Sequence, residues 1–192
     1  MEPEDVTTRI SGGVHRGRTL RTPPASGLRP TSERVRAALF SIIGREAVEG
    51  VRVADLYAGT GALGLEALSR GAAWVSFVER NGRLCSAIRD HLELLGLGCR
   101  AEVRRGAVLR TIESLPGGYD LVMADPPYDS DELADLVDAL QSPRLLNTGG
   151  LVVLEHRSDE EEEYAFGRFS LRASRTYGDT GITILAAGDV HG

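Results

Sequence analysis

Two stretches of this chain carry residues whose types and spacing could do chemistry. The first is Asp125-Pro126-Pro127-Tyr128. It follows the apolar run Tyr119-Asp120-Leu121-Val122-Met123-Ala124, which reads as a buried strand, and a helix-like segment begins soon after it. An acid, two prolines and an aromatic thus stand at the carboxyl end of a strand, where ligands bind in open α/β sheets. The prolines have no N–H to donate, and each restricts the residue before it to extended geometry. The loop is therefore stiff, with carbonyls available as acceptors. It suits a planar group bearing an amino substituent: Asp125 and the Pro126 carbonyl accept its two N–H bonds while Tyr128 stacks on its face. The bland alternative is a strand-to-helix turn with Asp129 or Ser130 as the helix cap.

The second stretch, from Val53 to Ala67, ends a strand, turns on glycines and opens a helix. Gly59, Gly61 and Gly64 satisfy G-x-G-x-x-G, and Glu79 lies 20 residues beyond Gly59. One reading is a nicotinamide enzyme, with pyrophosphate on the helix N-terminus and Glu79 on a ribose hydroxyl. The other is S-adenosylmethionine, with the backbone close to the ligand and Glu79 again on the ribose. Asp55 favours the second. It gains nothing beside a pyrophosphate, yet it can attract the α-ammonium of an amino acid. An acid in an apolar strand is costly unless partnered, so capping a backbone amide is its structural alternative. After the next strand Arg104-Arg105-Gly106-Ala107-Val108 offers no acid or amide for an adenine, which leaves backbone groups near Ala107 and apolar packing to recognise it.

These loops need elements to position them. Strands are predicted over 51–57, 74–79, 100–105, 119–124 and 150–156, and helices over 62–70, 82–95, 107–115 and 130–141. Such alternation implies an α/β fold, doubly wound and Rossmann-like, with five parallel strands. Residues 166–177 and 181–187, joined across Gly178-Asp179, form a C-terminal antiparallel hairpin. Upstream, Arg9 to Leu20 reads as an N-terminal β-hairpin arm about a Gly12-Gly13 turn. A helix then starts at Thr31 or Ser32, shows an apolar face of Val35, Ala38, Leu39, Ile42 and Ile43, and ends near Gly44. Two parts are expected, an arm over 1–30 and the α/β domain over 31–192. At 192 residues, 42% of them hydrophobic, the chain is long enough for one substantial core.

The net charge of −6 argues against a nucleic-acid partner until its distribution is seen. From Arg9 to Arg36 there are seven arginines and one acid, so this segment is +6 and the rest −12. A basic arm on an acidic body fits a phosphate-rich partner. The acidic run Asp159–Glu163 reads as a solvated loop facing away from it. No apolar stretch approaches a membrane span, and the acidic start is not a secretory signal. Cys85 and Cys99 match no zinc spacing and read as thiols in a reducing cytoplasm. His15 lies in the arm, His91 reads as helix surface, His156 ends a strand, and none shows metal spacing.

The two loops on one sheet resemble the class I methyltransferases, and Asp-Pro-Pro-Tyr resembles those that methylate exocyclic or amide nitrogens. Arg9-Ile10-Ser11-Gly12-Gly13, Arg16-Gly17-Arg18, Arg29 to Phe40, Asp55 to Ala67 and Tyr177-Gly178-Asp179-Thr180 narrow this. They resemble the bacterial small-subunit (16S) rRNA guanine-N2 methyltransferase family of the RsmD type, over roughly residues 7–188. The resemblance implies S-adenosylmethionine as cofactor, no metal, and a guanine amine as methyl acceptor. The partner it implies is 16S rRNA in an assembled or late-assembling small subunit, met by a cytoplasmic monomer. Asp125, Pro126 and Tyr128 are then the catalytic set. Asp55, Tyr57, Gly59, Gly61, Glu79, Arg80, Ala107 and Asp125 hold the cofactor, and Arg9, Arg16, Arg18, Arg29 and Arg34 meet RNA. Rivals are an amino-methyltransferase for another base or a protein glutamine, a non-catalytic RNA-binding protein, and an NAD-dependent oxidoreductase.

Overall fold

The computed structural model describes residues 5–25, 31–127, 132–158 and 167–189. Nine strands and five α-helices are seen among them: β1 (Val6–Arg9), β2 (Thr19–Thr22), α1 (Glu33–Ile43), β3 (Arg52–Leu56), α2 (Ala62–Ser69), β4 (Trp74–Glu79), α3 (Gly82–Leu94), β5 (Ala101–Arg105), α4 (Val108–Thr111), β6 (Tyr119–Ala124), α5 (Glu132–Leu140), β7 (Leu146–Arg157), β8 (Phe169–Tyr177) and β9 (Thr180–Ala187). The large sheet runs β5-β4-β3-β6-β7-β9-β8. Its first five strands are parallel, and β9 is antiparallel to both β7 and β8. Order reverses between β3 and β6. Fold class, parallel strands and terminal hairpin agree with the sequence reading, although β7 starts earlier than predicted and joins β6 through a register shift.

Alternation along each strand feeds two cores. Val53, Phe77, Leu121, Met123 and Val153 face one side with Leu39 of α1, Leu65 of α2 and Ile88 of α3. Ala54, Leu56, Val78, Val122 and Leu154 face the other with Val108 of α4 and Leu136 of α5. The central strands are buried on both faces, which is why they read as unbroken apolar runs. Helix α1 is capped by Ser32, whose hydroxyl accepts from Val35 N–H at 3.3 Å, and Gly44 at φ 83° ends it. Thr31, the other cap candidate, is used elsewhere.

The arm departs from its sequence reading. β1 and β2 do pair antiparallel, but Gly12-Gly13 is no tight turn between them; it belongs to a loop that lies along α2. Ser11 donates to Glu66 from its amide and its hydroxyl, both at 2.8 Å, and Ser69 donates to the Gly12 carbonyl at 2.6 Å. Gly13, at φ 78°, sits so close to the Ser69 carbonyl that a Cβ would collide with it. Arg70 completes the joint, bonded to Glu66 at 2.8 Å and lying 4.9 Å above the Phe40 ring. Two other assignments change. His91 is buried rather than on the helix surface, its Nε2 3.0 Å from the Arg21 carbonyl. Arg36 is also buried, its guanidinium donating to the carbonyls of Thr31 and Arg9, so it faces no partner.

Among the described residues no helix is long and apolar enough to cross a membrane, and no His, Cys, Asp and Glu cluster could hold a metal ion. Cys85 and Cys99 are free thiols. The Asp159–Glu163 run and His191 lie outside the described residues. Because Glu66 is fully buried and serves Ser11 and Arg70 together, Glu66→Ala is expected to cost roughly 3–5 kcal/mol in urea denaturation, as for one partner removed from a buried ion pair. Glu66→Gln, which still accepts, should lose less. A loss within the ~0.5 kcal/mol usual for surface changes would show that the arm holds without this joint.

Candidate active site

The carboxyl ends of β5, β4, β3 and β6 stand side by side, and the reversal of strand order opens a crevice between β3 and β6. In register, Leu56 pairs with Val78 on one side and Ala124 on the other. One residue further along, Tyr57, Glu79 and Asp125 are therefore level. The chain then turns through three left-handed positions, Tyr57 at φ 58°, Gly59 at 54° and Gly61 at 75°. Tyr57 is the only one of them with a side chain, and such strain in a non-glycine residue concentrates at functional sites. Gly61 caps α2 without any side-chain bond, and a Cβ there would come within 2.9 Å of Ile88. Gly64 has another task. Its missing Cβ makes room for the Phe77 ring, and its N–H donates to Asp55 Oδ2 at 2.8 Å.

Glu79 joins the loops after β3 and β4. Its Oε2 accepts from Gly59 N–H at 2.8 Å and its Oε1 from Asn81 N–H at 2.7 Å. Asp55 thus makes the backbone bond of its structural alternative, Glu79 holds two backbone amides of its own, and each carboxylate has further lone pairs for a ligand. Burial first, then the nearby carboxylates of Glu132 and Asp135 on α5, raise the Tyr57 phenol above its ordinary range. Arg80 is exposed beside Glu79, and Ala107, also exposed, is the extended residue that starts α4. Pro126 is buried next to Asp125. Tyr128 and the cap candidates Asp129 and Ser130 lie outside the described residues, as does Arg29. Arg9, Arg16, Arg18 and Arg34 are exposed.

The sequence reading missed one acid. Glu155 ends the apolar run Leu151-Val152-Val153-Leu154 in β7, the same signal that singled out Asp55 in β3. It is 5% exposed and accepts from Thr31 Oγ1 at 2.7 Å. Ala124 pairs with Leu154, so Asp125 and Glu155 are also level. By strand alternation Asp55, Asp125 and Glu155 all point to the face carrying α1 and α2. Burial, countered by the Gly64 N–H and reinforced by Glu79, lifts the Asp55 carboxyl to about 8. Burial likewise lifts Asp125 to about 8, with Glu155 and then Asp55 adding to it. Glu155 is raised by burial against the Thr31 bond and the Arg36 charge. Three reluctant anions on adjacent strands make an edge that favours cations and N–H donors.

Comparison with known proteins gives concordant matches. The family model described as Conserved hypothetical protein 95 matches residues 8–186. Ribosomal RNA small subunit methyltransferase D of Escherichia coli strain K12 is 34% identical over 77% of this chain and 73% of its own. The Bacillus subtilis protein YlbH, provisionally named an rRNA methyltransferase, is 32% identical over 92% of this chain and 97% of its own. The solved structure of Escherichia coli yhhF superposes with a TM-score of 0.82 at 29% identity, covering 95% of this chain and 99% of that one.

An acid with a raised folded value binds its proton more tightly folded than unfolded. Asp55 therefore subtracts stability as pH rises from the ordinary carboxylate range towards about 8. Asp55→Asn keeps an acceptor for Gly64 N–H and removes this titration. Its melting temperature, measured across that window, should fall less steeply with pH than that of the parent protein. Parallel curves would mean that Asp55 is ionised in the folded chain throughout.

Proposed function

This chain belongs to the family described as Conserved hypothetical protein 95, and we propose that it methylates the exocyclic N2 of a guanine in small-subunit (16S) ribosomal RNA. It is an rRNA methyltransferase. The observation carrying the finer reading is that the Gly59–Gly64 loop and Asp125-Pro126 meet at the β3/β6 crevice. The rRNA specificity in the names of its relatives supports it.

S-adenosylmethionine fits the edge as built. Gly59 and Gly61 let the backbone approach a ligand. Asp55 would take the α-ammonium: a carboxyl held near 8 by burial gains most from an incoming cation. Glu79 would take the ribose hydroxyls, with Tyr57 and Arg80 beside it and Ala107 at the adenine. When bound, the cofactor supplies a methyl group already activated on a positive sulfur. The protein's share is to present the acceptor. An aryl amine is a poor nucleophile because its lone pair is delocalised into the ring. Asp125 and the Pro126 carbonyl accept its N–H bonds, favour pyramidal nitrogen, and stabilise the positive charge that develops there. Correct placement supplies most of the rest. The base is extruded from its neighbours, and stacking falls to Tyr128 by its place in the chain.

Arg9, Arg16, Arg18 and Arg34, with Arg29, are the phosphate contacts in this reading, and the arm over 1–30 serves the domain over 31–192 as its RNA-binding part. A cytoplasmic monomer acting on an assembled or late-assembling subunit completes it. Small subunits from a strain lacking this gene should gain one methyl group on a guanine, mapped by mass spectrometry. Asp125→Ala should still bind S-adenosylmethionine by calorimetry, through Asp55 and Glu79, with turnover down at least about 10²-fold. Methylation elsewhere, or undiminished turnover, would overturn the assignment. Replacing Arg16 and Arg18 by alanine should weaken subunit binding and make its dependence on log salt shallower, by about one for each phosphate that is no longer neutralised. An unchanged slope would remove those two from the interface.

A further inference from the structure

Glu155 is a buried acid to which the reaction described so far gives no task. It lies level with Asp125 across the β6–β7 ladder, on the same face, and its other neighbours form a chain of contacts. Thr31 Oγ1 donates to Glu155 at 2.7 Å, Arg36 Nη1 donates to the Thr31 carbonyl, and Arg36 Nη2 donates to the Arg9 carbonyl at 2.6 Å. Arg9 is the last residue of β1. A continuous path of polar contacts, buried at Thr31 and Glu155, thus runs from the arm, over the start of α1, to the side of the acceptor acid. Thr31 and Glu155 are 124 residues apart, so no local pattern requires their contact.

We propose that Glu155 is a positioning residue of the acceptor site: clamped by Thr31 just ahead of α1, it sets where the Asp125 carboxyl lies. This rests on the reading of Asp125 as the acceptor of the guanine N–H bonds. Glu155 touches no reacting atom and acts through Asp125 in two ways. It fixes where that side chain can lie, because two carboxyls level on strands spaced about 4.8 Å apart must share the space between them. It also sets the charge of Asp125. The groups facing this pair are Asp55 from β3 and Arg36 from α1, and Thr31 caps it from the linker. Removing the negative charge at 155 lets Asp125 ionise at lower pH.

The test uses the full chain, S-adenosylmethionine and small subunits lacking the modification, with kcat, KM and their pH dependence measured. Glu155→Gln, which can still accept from Thr31, should lower the kcat plateau about tenfold. It should also move the rising limb of kcat to lower pH, with cofactor affinity within about twofold of the parent; the factors follow the scale for a misplaced reacting group. Thr31→Ala should lower kcat in the same sense, and Thr31→Ser should restore it, since serine keeps the hydroxyl. A Glu155→Gln protein with the parent's kcat and pH limb overturns the proposal. So does a lowered plateau with an unmoved limb, the mark of a merely structural residue. Should Glu155→Gln fail to fold, the Thr31 pair decides, failure of serine to rescue being the overturning result. A parent protein that transfers no methyl group overturns the functional reading itself and this inference with it, whereas an active parent with an unaffected Glu155→Gln variant overturns this inference alone.

Discussion

The parallel pairing of β3 with β6 is the constraint on which the rest depends. Their register, Leu56 against Ala124, brings two loops from distant parts of the chain to one crevice and makes them level. It also decides which faces their acids share. Side chains alternate along a strand, so a slip of one residue would send Asp125 to the α5 side and leave Asp55 behind on the α1 side. The pairing is held by burial on both faces. Val53, Leu121 and Met123 pack towards α1 and α2, while Ala54, Leu56 and Val122 pack towards α4 and α5. Both apolar sets would have to move together for the register to slip.

The same burial makes the site costly. Asp55, Asp125 and Glu155 lie where charge is disfavoured, and Glu155 and Asp55 make Asp125 harder still to ionise. The backbone and one hydroxyl offset part of the cost: Gly64 N–H for Asp55 and Thr31 Oγ1 for Glu155, with Gly59 and Asn81 N–H serving Glu79 in the next strand. The left-handed Tyr57 adds strain at the same edge. An edge so built is poorly satisfied alone and well satisfied by a cationic amino acid and an N–H-rich base. Stability has been conceded where ligands restore it.

The arm shows how packing can overrule composition. Its run of arginines suggests a free appendage reaching for phosphate. Instead Ile10 and Leu20 enter the main core, Glu66 and Ser69 grip its loop, and Arg36 is drawn inside to hold two carbonyls. What remains exposed among the described arginines of the arm is Arg9, Arg16, Arg18 and Arg21, and the loop between β1 and β2 is fixed to α2. A surface held in place in this way loses less entropy on binding any partner.

Much was legible in the residues alone. Apolar runs broken by helical periodicity marked the five parallel strands. Ser32 and Gly44 marked the ends of α1, the prolines marked the stiff loop, and an acid at the end of an apolar strand marked Asp55. These are local signals, set by sterics and by the periods of helix and strand, so neighbours in sequence suffice to read them. What they could not reveal was which residues would meet across the chain. Gly12-Gly13 reads as a turn. Arg36 reads as one more exposed cation, His91 as one more polar helix residue, and Thr31 as one of two caps. The fold decided each of these, because each depends on a partner far away in sequence: Ser69, the Arg9 carbonyl, the Arg21 carbonyl and Glu155. Local propensity can say that a side chain is polar, but only tertiary packing removes the water that would otherwise satisfy it and so dictates its partner.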